Sequence, residues 1–186
     1  AARAEHGGLR VTVFDWDVHH GNGTETIYYD RDDTPTISIH QAANYPVDRG
    51  KAEDRGRGAG EGFNINIPLL PGGGHQSYLD AFERIVAPAI RRFAPDLIVV
   101  ACGFDANGLD PMGRMLATSE TFRSLAEDTL ALAEELCDGR LVCAHEGGYS
   151  EAMVPFCGLA VVETLVGHRT DVVDPLADQG ARDGRG

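Results

Sequence analysis

The stretch Leu9–Thr24, LRVTVFDWDVHHGNGT, decides the fold of this chain. Its apolar first half predicts a buried β-strand, which runs directly into acids and histidines before two glycines break the chain. Alternate residues of an extended chain point to the same side, so Asp15, Asp17 and His19 converge just past the strand end. Open α/β sheets keep their ligand sites at this end of the strands. The stretch therefore predicts a metal site.

A simple turn is the alternative explanation for these polar residues. Asp side chains after a strand often bond to their own backbone, and a loop histidine is more often a hydrogen-bonding residue than a ligand. Here, however, Asp15 and Asp17 continue an apolar strand. Burying two carboxylates is costly unless a cation or a set of donors compensates. This pattern favours the metal site.

Strands and helices alternate along the rest of the chain. Apolar runs predict further strands at 36–40, 63–67, 96–102 and 140–145. Helical periodicity and capping residues predict helices at 24–30, 75–93, 119–138 and 151–166, the second of them bent at Pro88. The alternation predicts a parallel α/β sheet with helices on both faces. Residues 1–8 resemble the end of a helix, and 171–186 lack periodicity, which is typical of a frayed or disordered tail.

Composition excludes several classes of function. The net charge is −13 and Lys51 is the sole lysine, so no basic stripe is available to bind nucleic acid. No apolar run approaches the roughly 18 residues of a membrane span, and the N-terminus lacks the apolar core of a signal peptide. The four cysteines show no C-x-x-C spacing and read as small buried residues in a reducing compartment. We therefore expect a cytoplasmic protein without membrane or nucleic-acid partners.

Three of the predicted strands end in polar residues. Asp17 and His19 follow the first, Asp105 follows the strand at 96–102, and Tyr149 follows the strand at 140–145. Neighbouring strand ends of a parallel sheet share one cavity. Two carboxylates and one imidazole suit zinc with a fourth position open for water or substrate, and a phenol can donate to a developing oxyanion.

The sequence resembles the zinc-dependent histone deacetylases and their bacterial relatives, the acetylpolyamine and acetoin-utilisation-type amidohydrolases. The matching motifs run in the family's order along nearly the whole chain: DWDVHHGNGT at 15–24, SIHQ at 38–41, GFNINIPL at 62–69, GFDANGLDPMGRM at 103–115 and EGGYS at 146–150. The EGGY form resembles the class II and bacterial branch. The resemblance implies an arginase/deacetylase-like fold and hydrolysis of acetyl-lysine or acetylpolyamine amides.

The resemblance also implies roles for individual residues. It places catalytic zinc on Asp17, His19 and Asp105, with Tyr149 as the transition-state donor. It implies a structural potassium ion held by the side chains of Asp15 and Ser38 and by backbone oxygens of Asp17, His19 and Ile39. A second, weaker potassium site uses backbone oxygens near Tyr28, Arg31, Thr34 and Phe63. The substrate tunnel implied by the family includes Tyr45, Met112 and Gly148, and His20 supports the metal ligands from behind.

One element of the family pattern is missing. The general base belongs to a His-His pair well before the DWDVHH strand, and no such pair precedes Asp15 here. His20 and Glu146 are candidate substitutes, but the resemblance gives neither that role. We therefore interpret residues 1–170 as a partial deacetylase catalytic domain, incomplete at the N-terminus, with 171–186 as its tail.

Two rival functions remain at this point. A two-manganese ureohydrolase shares a related sheet but needs an additional carboxylate two residues after each motif acid, whereas Asp105 is followed by Ala106 and Asn107. A non-catalytic metal- or acyl-binding remnant is the other rival, since the base is missing. The sequence leaves open the natural substrate, the choice between zinc and ferrous iron, and whether the protein is a homo-oligomer.

Overall fold

The computed structural model describes residues 5 and 7–175, which form a five-stranded parallel sheet. The strands are ordered β3-β2-β1-β4-β5 across the sheet, and every neighbouring pair is parallel. Their bounds are Val11–Asp15 (β1), Thr36–Gln41 (β2), Asn64–Leu69 (β3), Leu97–Cys102 (β4) and Leu141–His145 (β5). The predicted parallel α/β class is confirmed, and the strand ends differ from the predicted ones by at most two residues.

The helices that flank the sheet are Asn22–Tyr28 (α1), His75–Ala81 (α2), Ala87–Phe93 (α3), Ser119–Cys137 (α4) and Val154–Val166 (α5). The predicted helix at 75–93 is helical throughout, and its residues Phe82–Val86 form a π-helical segment between α2 and α3. Pro88 lacks an N–H and its ring crowds the carbonyl four residues earlier. The π-helical segment immediately before it accommodates both effects.

The order of the strands creates a switch point between β1 and β4. The chain leaves β1 toward β2 and β3, and it leaves β4 in the opposite direction toward β5. Right-handed crossovers therefore put α1 on one face and the helices at 75–93 and 119–137 on the other. α4 accordingly packs against α2, α3 and α5. The loops after β1 and β4 start from adjacent strand ends, and a switch point of this kind is where open α/β sheets bind their ligands.

The core lies around the two central strands. Phe14 and Val100 are fully buried on neighbouring strands, and Trp16 packs edge-on against Phe14 with ring centroids 5.5 Å apart. β5 differs because it forms an edge of this sheet, and Val142 there is 52% exposed. The prediction that all four cysteines are buried holds for three of them, whereas Cys143 on β5 is only partly buried.

Some predictions fall outside the described residues. Most of the predicted helix end at 1–8 and most of the predicted tail lie there, in residues 1–4, 6 and 176–186. The described residues 171–175 belong to no helix or strand. Among the described residues, none of the helices combines the length and apolar character that crossing a membrane requires.

Candidate metal centre

The sheet brings the loops after β1 and β4 side by side. Asp15 pairs in register with Ala101, and the Trp16 N–H donates to the Ala101 carbonyl at 3.2 Å, so the two strands end at the same level. Asp17 and His19 follow one strand and Asp105 follows the other. Because the switch point lies between them, all three side chains enter the same crevice.

The three predicted ligands form a compact cluster. One ligand atom from each of Asp17, His19 and Asp105 lies within 4.8 Å of the other two. Nδ1 of His19 is 2.9 Å from Asp17 Oδ1 and 3.0 Å from Asp105 Oδ2. The other oxygens are held by the backbone: the N–H of Val18 donates to Asp105 Oδ1 at 2.8 Å, and the N–H of Gly147 to Asp17 Oδ2 at 2.8 Å. The carboxylates are thus fixed while one side of each faces the imidazole.

The electrostatics of this cluster favour a cation. Hydrogen bonds to Asp105 and Asp17 raise the pKa of His19 to about 10, so a protonated ring places positive charge between the two carboxylates. Burial raises the pKa of Asp105, and the charge of Asp17 adds to the shift although His19 opposes it. Burial acts the same way on Asp17, but hydrogen bonds from His19 and the Gly147 N–H hold its pKa below the ordinary value.

The donor set fits zinc. Asp105 is fully buried, and its Oδ2 receives no well-formed hydrogen bond from the described residues despite its approach to His19. A buried carboxylate oxygen in that state is costly unless a cation meets it. Carboxylate oxygen and imidazole nitrogen are both ordinary zinc ligands, and three protein ligands leave a fourth position for water or substrate.

The structure places the predicted transition-state donor and tunnel residues around this cluster. Tyr149 is 55% exposed, and burial together with the charges of Asp105 and Asp17 raises the pKa of its phenol. The ring of Tyr45 meets the His19 ring edge-on, with centroids 6.4 Å apart.

The two remaining residues of the predicted tunnel, Met112 and Gly148, lie in the loops that follow β4 and β5. Met112 is half-exposed, and its carbonyl accepts a hydrogen bond from Asn44 Nδ2 at 3.3 Å, so the loop that carries Tyr45 contacts the loop that follows β4. Gly148 packs behind Tyr149, where an added Cβ would meet Val154 at 3.0 Å and Phe104 at 3.3 Å. Gly148 therefore lets the loop of Tyr149 pack closely against Val154 and Phe104.

Asp15 and Ser38 lie opposite each other on β1 and β2. Burial raises the pKa of Asp15 well above its ordinary value, and the charge of Asp17 adds to the shift. The ring of His40 lies 2.9 Å from Ser38 Oγ at Nδ1 and 2.9 Å from the Gly50 carbonyl at Nε2. The carbonyl can only accept, so Nε2 carries the proton and the Ser38 hydroxyl donates to Nδ1. The lone pairs of Ser38 remain available to a cation.

Other predicted ion ligands are backbone oxygens. Ile39 is buried in β2 directly after Ser38. At the second predicted potassium site, the carbonyl of Tyr28 accepts the N–H of Arg31 at 3.0 Å and that of Phe63 accepts the N–H of Thr36 at 2.9 Å. Each carbonyl has a second lone pair, so both contacts leave room for an ion.

A buried acid that the sequence analysis did not select lies behind the cluster. Glu25 is 5% exposed, and its Oε2 lies 3.1 Å from His20 Nε2 and accepts Asn64 Nδ2 at 2.8 Å and Asn66 Nδ2 at 2.9 Å. Burial would raise the pKa of Glu25, but these hydrogen bonds hold it at about 2. His20 therefore lies in this network and outside the group of three metal-ligand candidates.

Fold and site together define the class: an α/β protein with a group of three candidate metal ligands at the switch point of its sheet. The sequence model of the histone deacetylase domain matches residues 1–165, and the chain belongs to the histone deacetylase family. It is 58% identical over 178 residues to a histone deacetylase-like amidohydrolase of Pseudomonas aeruginosa, covering 96% of this chain and 47% of the relative. The chain spans less than half the length of the curated relatives it matches, 47% and 45% for two of them and 35% for another.

Solved structures agree with this assignment. The structure of the histone deacetylase Clr3 superposes with a TM-score of 0.83 at 32% identity, covering 98% of this chain and 32% of that one. An acetylpolyamine aminohydrolase from Burkholderia pseudomallei superposes with a TM-score of 0.78 at 31% identity, covering 87% of this chain and 46% of that one. The family resemblance and the deacetylase-like fold predicted from the sequence are both confirmed.

Proposed function

We propose that this chain forms the metal-binding and oxyanion-facing part of a zinc-dependent amide hydrolase. The enzyme removes acetyl groups from acetyl-lysine or acetylpolyamine-type substrates. The observation that carries the proposal is the convergence of Asp17, His19 and Asp105 within 4.8 Å at the switch point of the sheet. Membership of the histone deacetylase family supports the reaction class.

Asp17, His19 and Asp105 would hold the metal ion. Zinc bound there polarises the acyl carbonyl and lowers the pKa of a bound water. Ferrous iron suits the same ligands. The backbone N–H groups of Val18 and Gly147 hold the two carboxylates in position.

Tyr149 acts as the hydrogen-bond donor. Burial and the neighbouring carboxylates of Asp105 and Asp17 raise the pKa of its phenol, so the group is protonated at neutral pH. A protonated phenol stabilises the oxyanion that forms when an amide carbonyl is attacked. Tyr45, beside His19, offers an apolar wall to the acyl chain.

The general base is proposed to come from outside these 186 residues. The sole pair of adjacent histidines in the sequence is His19-His20, and the structure engages both rings with carboxylates. The net charge of −13 favours the binding of cationic amines. Because acetyl-lysine and acetylpolyamines both yield such amines as products, the charge does not distinguish these two substrate classes.

The test compares this chain with a version extended upstream to include a His-His pair. We expect about one zinc per molecule in both proteins, measured by atomic emission, and hydrolysis of a fluorogenic acetyl-lysine or an acetylpolyamine by the extended one alone. Asp105→Ala removes the metal, whereas Asp128→Ala on the exposed face of α4 leaves it bound.

Three results would contradict the proposal. Zinc that survives Asp105→Ala shows that the site is misassigned. Zinc binding without turnover in the extended protein favours a non-catalytic remnant. Two metal ions per molecule favour ureohydrolase-like chemistry.

A further inference from the structure

The buried carboxylate of Asp110 joins the loop after β4 to the loop after β5. Its Oδ2 accepts hydrogen bonds from the N–H groups of Tyr149 at 2.6 Å and Ser150 at 3.1 Å. Its Oδ1 accepts the N–H of Met112 at 2.9 Å. Asp110 is 6% exposed, so three backbone N–H groups take the place of the water that would otherwise solvate its carboxylate. Such bonds to an ionised acceptor are about twice as strong as neutral ones.

Tyr149 depends on this carboxylate for its position. Two glycines precede it, and Gly148 has a φ of +136°, a conformation that gives the loop little rigidity of its own. The Tyr149 side chain is half-exposed, so packing against it does little to fix its direction. The Gly147 N–H bond to Asp17 holds the start of this loop, and the bonds from the N–H groups of Tyr149 and Ser150 to Asp110 hold the backbone of Tyr149 itself.

The side chain of Asp110 also holds Met112, the residue predicted at the rim of the substrate tunnel. Oδ1 of Asp110 holds the N–H of Met112, and the Met112 carbonyl accepts the amide of Asn44, which precedes Tyr45. One carboxylate therefore sets the distance between the Tyr149 loop and the two loops of the substrate entrance.

We propose that Asp110 is the positioning residue for Tyr149, a role that rests on the deacetylase function proposed above. It acts through the backbone and does not touch the substrate. A carboxylate is required because three N–H donors face it from two sides. Asparagine has one acceptor oxygen, and its NH₂ group would oppose an N–H on whichever side it faced.

Asp110→Asn is the sharpest test because it changes one atom and keeps the side-chain volume. In the zinc-loaded protein extended upstream, we expect kcat on acetyl-lysine to fall about ten-fold or more, less than the roughly 10²–10³-fold loss on removing an oxyanion donor, because the phenol is displaced and not lost. We expect KM to change less than about two-fold and the zinc content to stay the same. Asp128→Asn on the exposed face of α4 is the matched control and retains full activity.

A double-mutant cycle separates positioning from general damage. If Asp110 acts through Tyr149, Asp110→Asn adds little to the loss already caused by Tyr149→Phe. Trifluoroacetyl-lysine, whose electron-poor carbonyl needs less help from a donor, loses less activity than acetyl-lysine. Amide hydrogen exchange rises in 147–153 and 108–116 and stays unchanged elsewhere. Asp110→Glu, which retains both acceptor oxygens, recovers part of the kcat and covers the case in which Asp110→Asn fails to fold.

The outcomes distinguish this inference from the proposed function. If the extended wild-type protein turns over and Asp110→Asn has the same kcat, the role of Asp110 is wrong while the proposed function stands. The same holds if the losses in the double-mutant cycle are additive. Equal losses on both substrates, or no recovery in Asp110→Glu, would mean that Asp110 is merely structural. An extended wild-type protein without turnover overturns the proposed function and this role with it.

Discussion

The backbone N–H of Gly147 donates a 2.8 Å hydrogen bond to Asp17 Oδ2 and so joins two loops that are 130 residues apart in the chain. This contact requires the backbone to come very close to the metal ligands. A Cβ added at Gly147 would lie 2.0 Å from Asp105 Oδ2 and 2.5 Å from Asp17 Oδ2. Only glycine fits there without moving a carboxylate.

Replacing Gly147 with alanine is therefore expected to remove the metal. The new methyl group overlaps both carboxylates, and either the Gly147 loop or the ligands must shift. We expect zinc to fall from about one per molecule to a small fraction of that, measured by atomic emission after dialysis. Gly23→Ala is the control, since no atom lies within 4 Å of a Cβ there. Full zinc occupancy in Gly147→Ala would show that the ligands are placed differently.

Much of this architecture could be predicted from the sequence. Continuous apolar runs such as LIVVAC at 97–102 predict a strand of a parallel sheet, and the acid that follows marks the end of that strand. Because parallel strand ends meet at one edge, local pattern was enough to associate Asp17, His19 and Asp105. The exposure of β5 was not predictable, since its apolar sequence is identical in kind to that of the buried strands.

Asp110 and Glu25 are two of the buried acids that were not predicted, and the reason is the same for both. Asp110 precedes a proline in a loop and Glu25 lies in the first turn of a short helix, which are ordinary surface positions for acids. Their hydrogen-bond partners come from distant elements, Tyr149 in one case and Asn64 in the other. The two asparagines spaced two apart in the strand NINIPL were a signal, because polar residues on one face of a buried strand need a partner.

Glu25 is predicted to anchor the loop between β2 and β3. Its partner Asn64 also donates to the carbonyl of Asp54 at 2.6 Å, which connects the buried carboxylate to that loop. Glu25→Gln replaces one acceptor oxygen by a donor and should cost about 2 kcal/mol of unfolding free energy. Trypsin should then cut faster at the exposed residues Lys51 and Arg55.

The matched control for Glu25 is Glu127→Gln, an exposed position on α4. It should change neither the unfolding free energy nor the rate of tryptic cleavage. Equal cleavage rates in wild type and Glu25→Gln would show that the loop is held by other contacts.

Asp15 should make the stability of the protein depend on potassium. Its pKa is raised by burial, so its ionised form destabilises the fold at neutral pH unless a cation is bound. At constant ionic strength, replacing tetramethylammonium with potassium should add about 1 kcal/mol or more to the unfolding free energy. Asp15→Asn should abolish that difference while costing little in the potassium-free buffer, and Asp128→Asn should keep it. An unfolding free energy of the wild-type protein that is the same in potassium and in tetramethylammonium would contradict the predicted potassium site.

His40 should make the metal-free protein less stable as the pH falls. Burial lowers the pKa of His40 from 6.5 to about 4 against the opposing effect of the Gly50 carbonyl. Between these two pH values the unfolded chain therefore binds a proton at His40 and the folded protein does not. Stability is therefore complete above pH 6.5 and declines until about pH 4. A shift of this size corresponds to about 3 kcal/mol over that window.

Urea unfolding in the presence of a chelator measures the His40 effect without competition from metal binding. His40→Gln should have a lower unfolding free energy at neutral pH, because it loses a bond to Ser38 or to Gly50, and a flatter pH dependence between 6.5 and about 4. His168→Gln, at an exposed position, should follow the wild-type curve. If His40→Gln keeps the full wild-type slope, the acid sensitivity arises from the buried carboxylates instead, and the His40 ring accepts a proton in the folded protein as readily as in the unfolded chain.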